Sequence, residues 1–333
     1  MRRPCMSLDK WLFDKKDQIA LLEQWRTCAQ YGMTTKDFCQ KLADSGSSSS
    51  KKIGQAGLKA PGQGKAFTEV LEGWLSPVVL STLVIAEKNG QLQQGLDLAI
   101  KELGGGQGVM KALFWMMALP VATLFGLGVL GVYISGEIIT TADLAGSMAS
   151  QVRDIAKGPG AIALGVLIGL FLISALSMPI WTGQSRALVD KLWPFCDYRT
   201  AVAGNLLSTL ANLSQAGMSL KAAMEEVQPH SSRYLTAHLQ RMLSHLETET
   251  NPGRALDTGL LLADAQTNLN VMGDIAPLTT LLEKSAEQHH RHLAKKMATL
   301  QLIVPKVILV LAILLLGALV GSAMASLFIS IQL

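Results

Sequence analysis

Three uninterrupted apolar runs, at residues 112–134, 160–182 and 307–331, decide what this chain can become. Each has the roughly 20 apolar residues that a helix needs to cross a hydrocarbon core. Backbone amides have no water to bond inside a bilayer, so each run must be helical there. The remaining sequence forms two polar stretches of comparable length, residues 1–111 and 183–302. At 49% hydrophobic and 16% charged residues, the 333-residue chain fits a few spans joined to polar modules. The expected fold is all-α: a polytopic membrane protein with three transmembrane helices and two repeated helical-bundle domains. The expected parts are a first domain at 1–111, spans at 112–134, 160–182 and 303–331, a short loop at 135–159, and a second domain at 183–302.

Charge sets the expected orientation, because Lys and Arg stay on the cytoplasmic side of short loops. The 135–159 loop carries only Arg153 and Lys157 as basic residues, against Glu137, Asp143 and Asp154. The other flanks are basic: Lys88, Lys101 and Lys111 before the first span, Arg186, Lys191 and Arg199 after the second, and Arg291, Lys295, Lys296 and Lys306 around the start of the third. Both polar stretches are therefore expected in the cytoplasm, the loop in the periplasm, and the C-terminus on the periplasmic side of a bacterial inner membrane. The charged start MRRPCMSLDKWLFDKKDQ has no apolar core of signal-peptide length. The four cysteines lack metal-type pairing and are expected reduced in a cytosol.

The apolar cores hold no Asp, Glu, Lys, Arg or His, which argues against a transporter or voltage-gated channel. They hold small residues one turn apart instead: Ala161, Gly165 and Gly169 in the second span, Gly317, Gly321 and Ala325 in the third. Such stripes let helices approach closely, within one chain or between subunits. Pro120 is expected to kink the first span.

Both polar stretches read as helical. Ile19, Leu22, Trp25, Ala29 and Met33 recur at a helical period, as do Leu206, Leu207, Leu210, Leu213 and Met218. The stretches also look like copies. Gln30-Tyr-Gly32-Met33 pairs with Gln215-Ala-Gly217-Met218, and Gly64-Lys65-Ala66-Phe67 with Gly253-Arg254-Ala255-Leu256. Glu87-Lys-Asn-Gly90-Gln-Leu92 pairs with Asp274-Ile-Ala-Pro-Leu278. Glycine in these places fits helix ends and tight turns. The copies differ most at 45–65, SGSSSSKKIGQAGLKAPGQGK, whose Ser, Gly and Lys content predicts a flexible loop. The matching stretch near 229–252 predicts a helix.

No catalytic, cofactor or metal constellation emerges. Gly104-Gly-Gly-Gln-Gly108 lacks the Lys-Ser/Thr ending of a phosphate loop and reads as a joint. His289, His290 and His292 sit in the basic stretch HHRHLAKKM and read as a solvated or membrane-facing face, not a metal cluster. The modest net charge of +4 gives no argument for nucleic acid.

Two helical cytoplasmic repeats, three spans and a Glu-x-x-Gly-x-Leu turn resemble the inner-membrane platform proteins of type IV pilus and type II secretion machines, the general secretion pathway protein F family. The first repeat carries Ala86-Glu87-Lys-Asn-Gly90-Gln-Leu92, with Ala86 where the family has Gly. The second has Gly273-Asp274, with Pro277 in place of the turn glycine, and Leu278. The short N-terminal extension resembles the type IVb pilus branch. The resemblance implies a non-enzymatic, cofactor-free platform that docks a cytoplasmic hexameric assembly ATPase, contacts pilin subunits and other inner-membrane assembly proteins, and forms a homo-oligomer. Glu87, Gly90, Leu92, Gly273, Asp274 and Leu278 are then candidate partner or fold positions, and Gly165, Gly169, Gly317 and Gly321 candidate helix-packing positions. The alternative is a membrane-anchored sensor or adaptor with helical cytoplasmic domains.

The charge pattern makes a topology prediction. A periplasm-dependent reporter fused at Ser150 is expected to be active, and the same reporter at Ser244 inactive; activity at Ser244 overturns the orientation.

Overall fold

The computed structural model describes residues 13–105, 109–144 and 146–332, and among them it is helical throughout, with no strand. The expected phosphate-loop-like joint falls partly on 106–108 and the charged N-terminus on 1–12, outside the described residues. Contacts divide the chain into two units. One combines Met1–Gln107 with Pro179–Arg291, the other Gly108–Met178 with His292–Leu333.

In the first unit the helices are α1 (Lys15–Gln30), α2 (Thr35–Ser45), α3 (Ser48–Lys59), α4 (Phe67–Val70), α5 (Pro77–Lys88) and α6 (Leu92–Gly105). Of the membrane-type elements, α7 is Val109–Thr141, α8 Met148–Ile155 and α9 Ala161–Ser177. Then follow α10 (Gln184–Val189), α11 (Phe195–Gln215), α12 (Leu220–Val227), α13 (Arg233–Thr248), α14 (Pro252–Ala255), α15 (Ala263–Met272) and α16 (Leu278–Gln332).

The helix order of the two halves recurs almost residue for residue. The N-caps of α2, α3 and α4 are Thr34, Ser47 and Ala66; those of α12, α13 and α14 are Ser219, Ser232 and Asn251. From 34 to 219, 47 to 232 and 66 to 251, the displacement is 185 residues each time. The helix starts Leu92 and Leu278 follow at 186. This moves one sequence pairing. Gly64 closes a turn at φ +69°, whereas Gly253 lies inside α14, so the two are not equivalent. Leu71 and Leu256, each the C-cap of its short helix and each fully buried, are.

Composition predicted a flexible loop at 45–65, and the structure has helix α3 there. Ser47 caps it by accepting from the Ser50 amide, satisfying one of the amides that a helix start leaves unpaired. The small residues serve close approach. A Cβ on Gly54 would lie 2.6 Å from the Ala43 nitrogen and 2.7 Å from the Cys39 oxygen, so α3 packs against the backbone of α2. Behind this hairpin, Trp25, Phe38 and Phe67 meet at centroid distances of 4.9–5.9 Å, with Trp25 1% exposed. The second half has a different filling, mostly aliphatic: Leu206, Leu210, Met224, Leu239, Met242, Leu256 and Leu282.

In the second unit, three helices are long and apolar enough to cross a membrane: Ala118–Thr141, Met148–Ser177 and Leu278–Gln332, the last contributing its part from His292 onward. Leu167, Leu314 and Phe328 are each more than 60% exposed, a surface that hydrocarbon and not water stabilises. The expected 135–159 loop is mostly helix: α7 runs on to Thr141, and α8 passes through a π-helical stretch, Ala156–Gly160, into α9. Arg153 lies against Gly136, while Ile139, Leu144 and Ala149 close over Ala323. Pro120 and Pro305 both lie within helices.

Gly54→Ala tests the close approach. Alanine gains about 1 kcal/mol over glycine in an open helix, but overpacking against fixed backbone costs about 1–3 kcal/mol. The net is expected to lower the apparent Tm of the chain in mild detergent by about 2–6 °C, whereas Gln55→Ala, on an exposed position of the same helix, is expected to leave it unchanged.

Candidate functional site

The Glu87 turn is built as a helix stop. Gly90 has φ +71°, a left-handed conformation that glycine adopts without a side-chain penalty. Its amide donates to the Glu87 carbonyl (3.0 Å) and the Gln91 amide to the Ala86 carbonyl (2.8 Å), which satisfies the last carbonyls of α5. The Glu87 carboxylate accepts from Thr68 Oγ1 at 2.7 Å, tying the end of α5 to α4. Leu92 then opens α6 and packs against the core. Ala86 directs its methyl onto Gly95, so the small residue of this crossing sits on α6.

The second copy does the same work with other atoms. Asn251, 5% exposed, donates through Nδ2 to Asp274 Oδ2 (2.8 Å) and to the Asn270 carbonyl (3.1 Å). Its Oδ1 accepts from the Gly253 and Arg254 amides. A Cβ on Gly273 would collide with that same Oδ1. Asp274 thus ties the end of α15 to α14, as Glu87 ties α5 to α4. Pro277 stands just before α16, where a missing amide costs nothing, and Leu278 packs against the core.

Sequence reasoning missed the joint that merges the halves. Glu102 of α6 accepts from Thr209 Oγ1 (2.5 Å) and Asn212 Nδ2 (2.8 Å) of α11. Around it, Ser81 Oγ donates to Glu226, Asn89 Nδ2 to the Ala216 carbonyl (2.6 Å), and Lys101 pairs with Glu283. Asn89 also fills the space where a Cβ on Gly217, at φ +105°, would stand. The available signal was Glu102 itself, one residue before buried Leu103 and three after buried Ala99 on an amphipathic helix. Burial raises its carboxyl above the ordinary 4.5, outweighing the bonds from Thr209 and Asn212 that pull it down.

Elsewhere the predicted residues separate. Gly165, Gly169, Gly317 and Gly321 have nothing within 4 Å of an added Cβ; within their unit it is Gly128 and Gly131 on α7 that come close to side chains of α16, namely Leu315, Leu316 and Leu319. The histidines do not form one face. His289 is fully buried, accepting from the Leu262 amide at Nε2 (2.9 Å) and contacting the Ser285 carbonyl through Nδ1 (2.7 Å). His290 meets Ser208, and His292 is exposed. The expectation of a solvated or membrane-facing basic face is corrected for His289: its ring is consumed in fastening α16 to the start of α15. Among the described residues no cluster of His, Cys, Asp or Glu has metal-binding geometry.

Residues 206–325 match the family described as Type II secretion system (T2SS), protein F. The match begins inside α11 and runs through the second half into the apolar part of α16. Toxin coregulated pilus biosynthesis protein E of Vibrio cholerae serotype O1 is 21% identical over 71% of this chain and 72% of its own length.

Glu102 gives a prediction with a definite sign. Because its folded pKa is raised, the stabilising contribution is present in acid and is lost as pH rises through the folded value. Glu102→Gln is expected to match the wild-type Tm near pH 4 and exceed it at pH 7. Glu102→Ala, which strands the buried donors Thr209 and Asn212, is expected to lower Tm by about 2–6 °C at both pH values. Thermal melts of the full chain at the two pH values check both.

Proposed function

We propose that this chain, a member of the type II secretion system protein F family, couples a cytoplasmic hexameric ATPase to the insertion of pilin subunits into a growing fibre. The coarser statement needs no proposal: it is a non-enzymatic membrane component of a pilus or secretion assembly platform, set in the inner membrane by three apolar helices. The pilus side of that alternative is supported by the relative from Vibrio cholerae, whose name is that of a pilus biosynthesis protein.

One observation carries the coupling role. The two polar halves, separated in sequence by two apolar helices, close into one helical unit through Glu102, Asn89 and Ser81. A unit closed in this way presents one solid surface to a motor, where two loosely tethered bundles would yield separately. In this reading the N-terminus and both halves are cytoplasmic and the C-terminus is periplasmic, as the Lys and Arg distribution supports. The Glu87 and Asp274 turns shape the unit and do not themselves grip a partner, since their carboxylates are engaged internally. The open glycine stripes on the second and third spans suit contacts between copies of the chain.

A clean deletion is expected to abolish surface fibres or secretion, with the full chain restoring them; wild-type assembly after deletion sinks the platform role. Co-purification separates coupling from mere presence. The assembly ATPase is expected to be retained by the wild-type chain in mild detergent, and to be lost or at least tenfold reduced with Glu102→Ala plus Asn89→Ala.

A further inference from the structure

In the second half, a cavity of about 600 Å³ lies between α10, α11, α13 and the segment before α15. Three guanidinium groups line it, from Arg186, Arg199 and Arg241, against the single carboxylate of Asp190 among its described lining residues. Arg186 is the telling one, because it is 2% exposed. Its flat faces are used by Phe195 and Tyr234, at 4.5 and 4.7 Å from the ring centroids, and its Nε pairs with Asp190 Oδ1 at 2.8 Å. Nη1 and Nη2 find no acceptor among the protein atoms.

Asp190 supplies none: its Oδ1 faces Nε, and its Oδ2 accepts from the Tyr234 hydroxyl at 3.0 Å. The aromatic rings hold the guanidinium in one plane, so its Nη donors are already oriented when the cavity opens by the small shift that lets an oxygen-rich anion reach them. Buried donors without partners are rare, and leaving them so costs about 1–3 kcal/mol each. The neighbourhood is correspondingly positive. His238 Nδ1 faces Arg241 Nη2 (3.2 Å) and Thr258 Oγ1 (2.9 Å), and its pKa is pulled down to about 4, by burial first and then by Arg241, Arg199 and Arg186.

We propose that this cavity is a binding site for a phosphate-bearing anion, received by the Nη edge of Arg186 with Arg199 and Arg241 completing the charge. Planar guanidinium groups match phosphate oxygens two at a time, and a charge-assisted pair withdrawn from water is among the stronger polar contacts available. Thr258 and the backbone at Gly183 and Gly259 line the same cavity, leaving room beside the arginines for the rest of a ligand. Two sources share this chemistry: the headgroup of an anionic phospholipid, and a soluble phosphate compound. The lining begins at Thr182, five residues after α9 ends, so the site follows directly in sequence on an apolar helix.

The test uses the full chain in neutral detergent, followed by thermal melting. Sodium pyrophosphate is titrated against sodium chloride at matched ionic strength, and phosphatidylglycerol against phosphatidylcholine in mixed micelles. A probe at ten times its Kd is expected to raise Tm by about 3–6 °C. A shift with pyrophosphate alone assigns a soluble ligand, and a shift with phosphatidylglycerol alone assigns a lipid headgroup. Arg241→Gln, at an exposed position that leaves the Arg186 stack intact, is expected to weaken the responding probe about tenfold or more, with Arg241→Lys recovering part of the loss. Arg26→Gln, on the other half, is expected to leave it unchanged. If neither probe stabilises the wild-type chain beyond its control, or if Arg241→Gln responds as wild type does, the proposal is wrong.

Discussion

A carboxylate withdrawn from water fixes how the two halves of the first unit register. Glu102 crosses from α6 to α11 and accepts from Thr209 and Asn212, the latter 2% exposed. Desolvation penalises the ionised form, and the raised pKa shows that the two hydrogen bonds only partly offset it. The contact is therefore weak evidence of stability and strong evidence of specificity. An apolar residue in its place would strand Asn212, so the halves meet in one register or leave a buried amide unmet. Asn89 and Ser81 extend that registration along α5, and the apolar contact of Val78 with the second core lies beside them.

That joint changes the meaning of the repeated turns. Viewed alone, an acidic residue beside a glycine at the end of a helix invites a docking role. In the folded unit both acids reach back to the short helix of their own half, Glu87 to Thr68 and Asp274 to Asn251. The copies keep the task and exchange the chemistry: a left-handed glycine and a hydroxyl in one, an asparagine hub and a proline start in the other. Their interiors diverge as well, aromatic in the first half and aliphatic in the second. Equal helix order with unequal filling leaves the outer faces of the two halves free to differ.

Much of this was legible in the chain. Apolar runs far longer than a soluble helix needs have only a membrane as solvent, and their helical state follows from backbone hydrogen bonding alone. The helical period placed Leu22, Trp25, Leu206 and Leu210 in the cores, where all four are buried. Reading failed where one composition serves two structures. Ser and Gly in 45–65 signalled flexibility, yet the same smallness lets α3 lie against the α2 backbone at Gly54. The histidines failed for the opposite reason: HHRHLAKKM is polar in sequence, but His289 finds the Leu262 amide and is taken out of solvent.

Sequence by itself determined the helical character of the chain, the membrane-crossing runs and the near-constant displacement between halves, because these depend on local periodicity and length. Tertiary structure alone decided that residues 1–107 and 179–291 share one unit, that Glu102 is the group joining their halves, and that Arg186 has an unused edge. The physical reason is distance along the chain. Glu102 and Asn212 are 110 residues apart, and no local pattern records which buried donor a buried acceptor will meet.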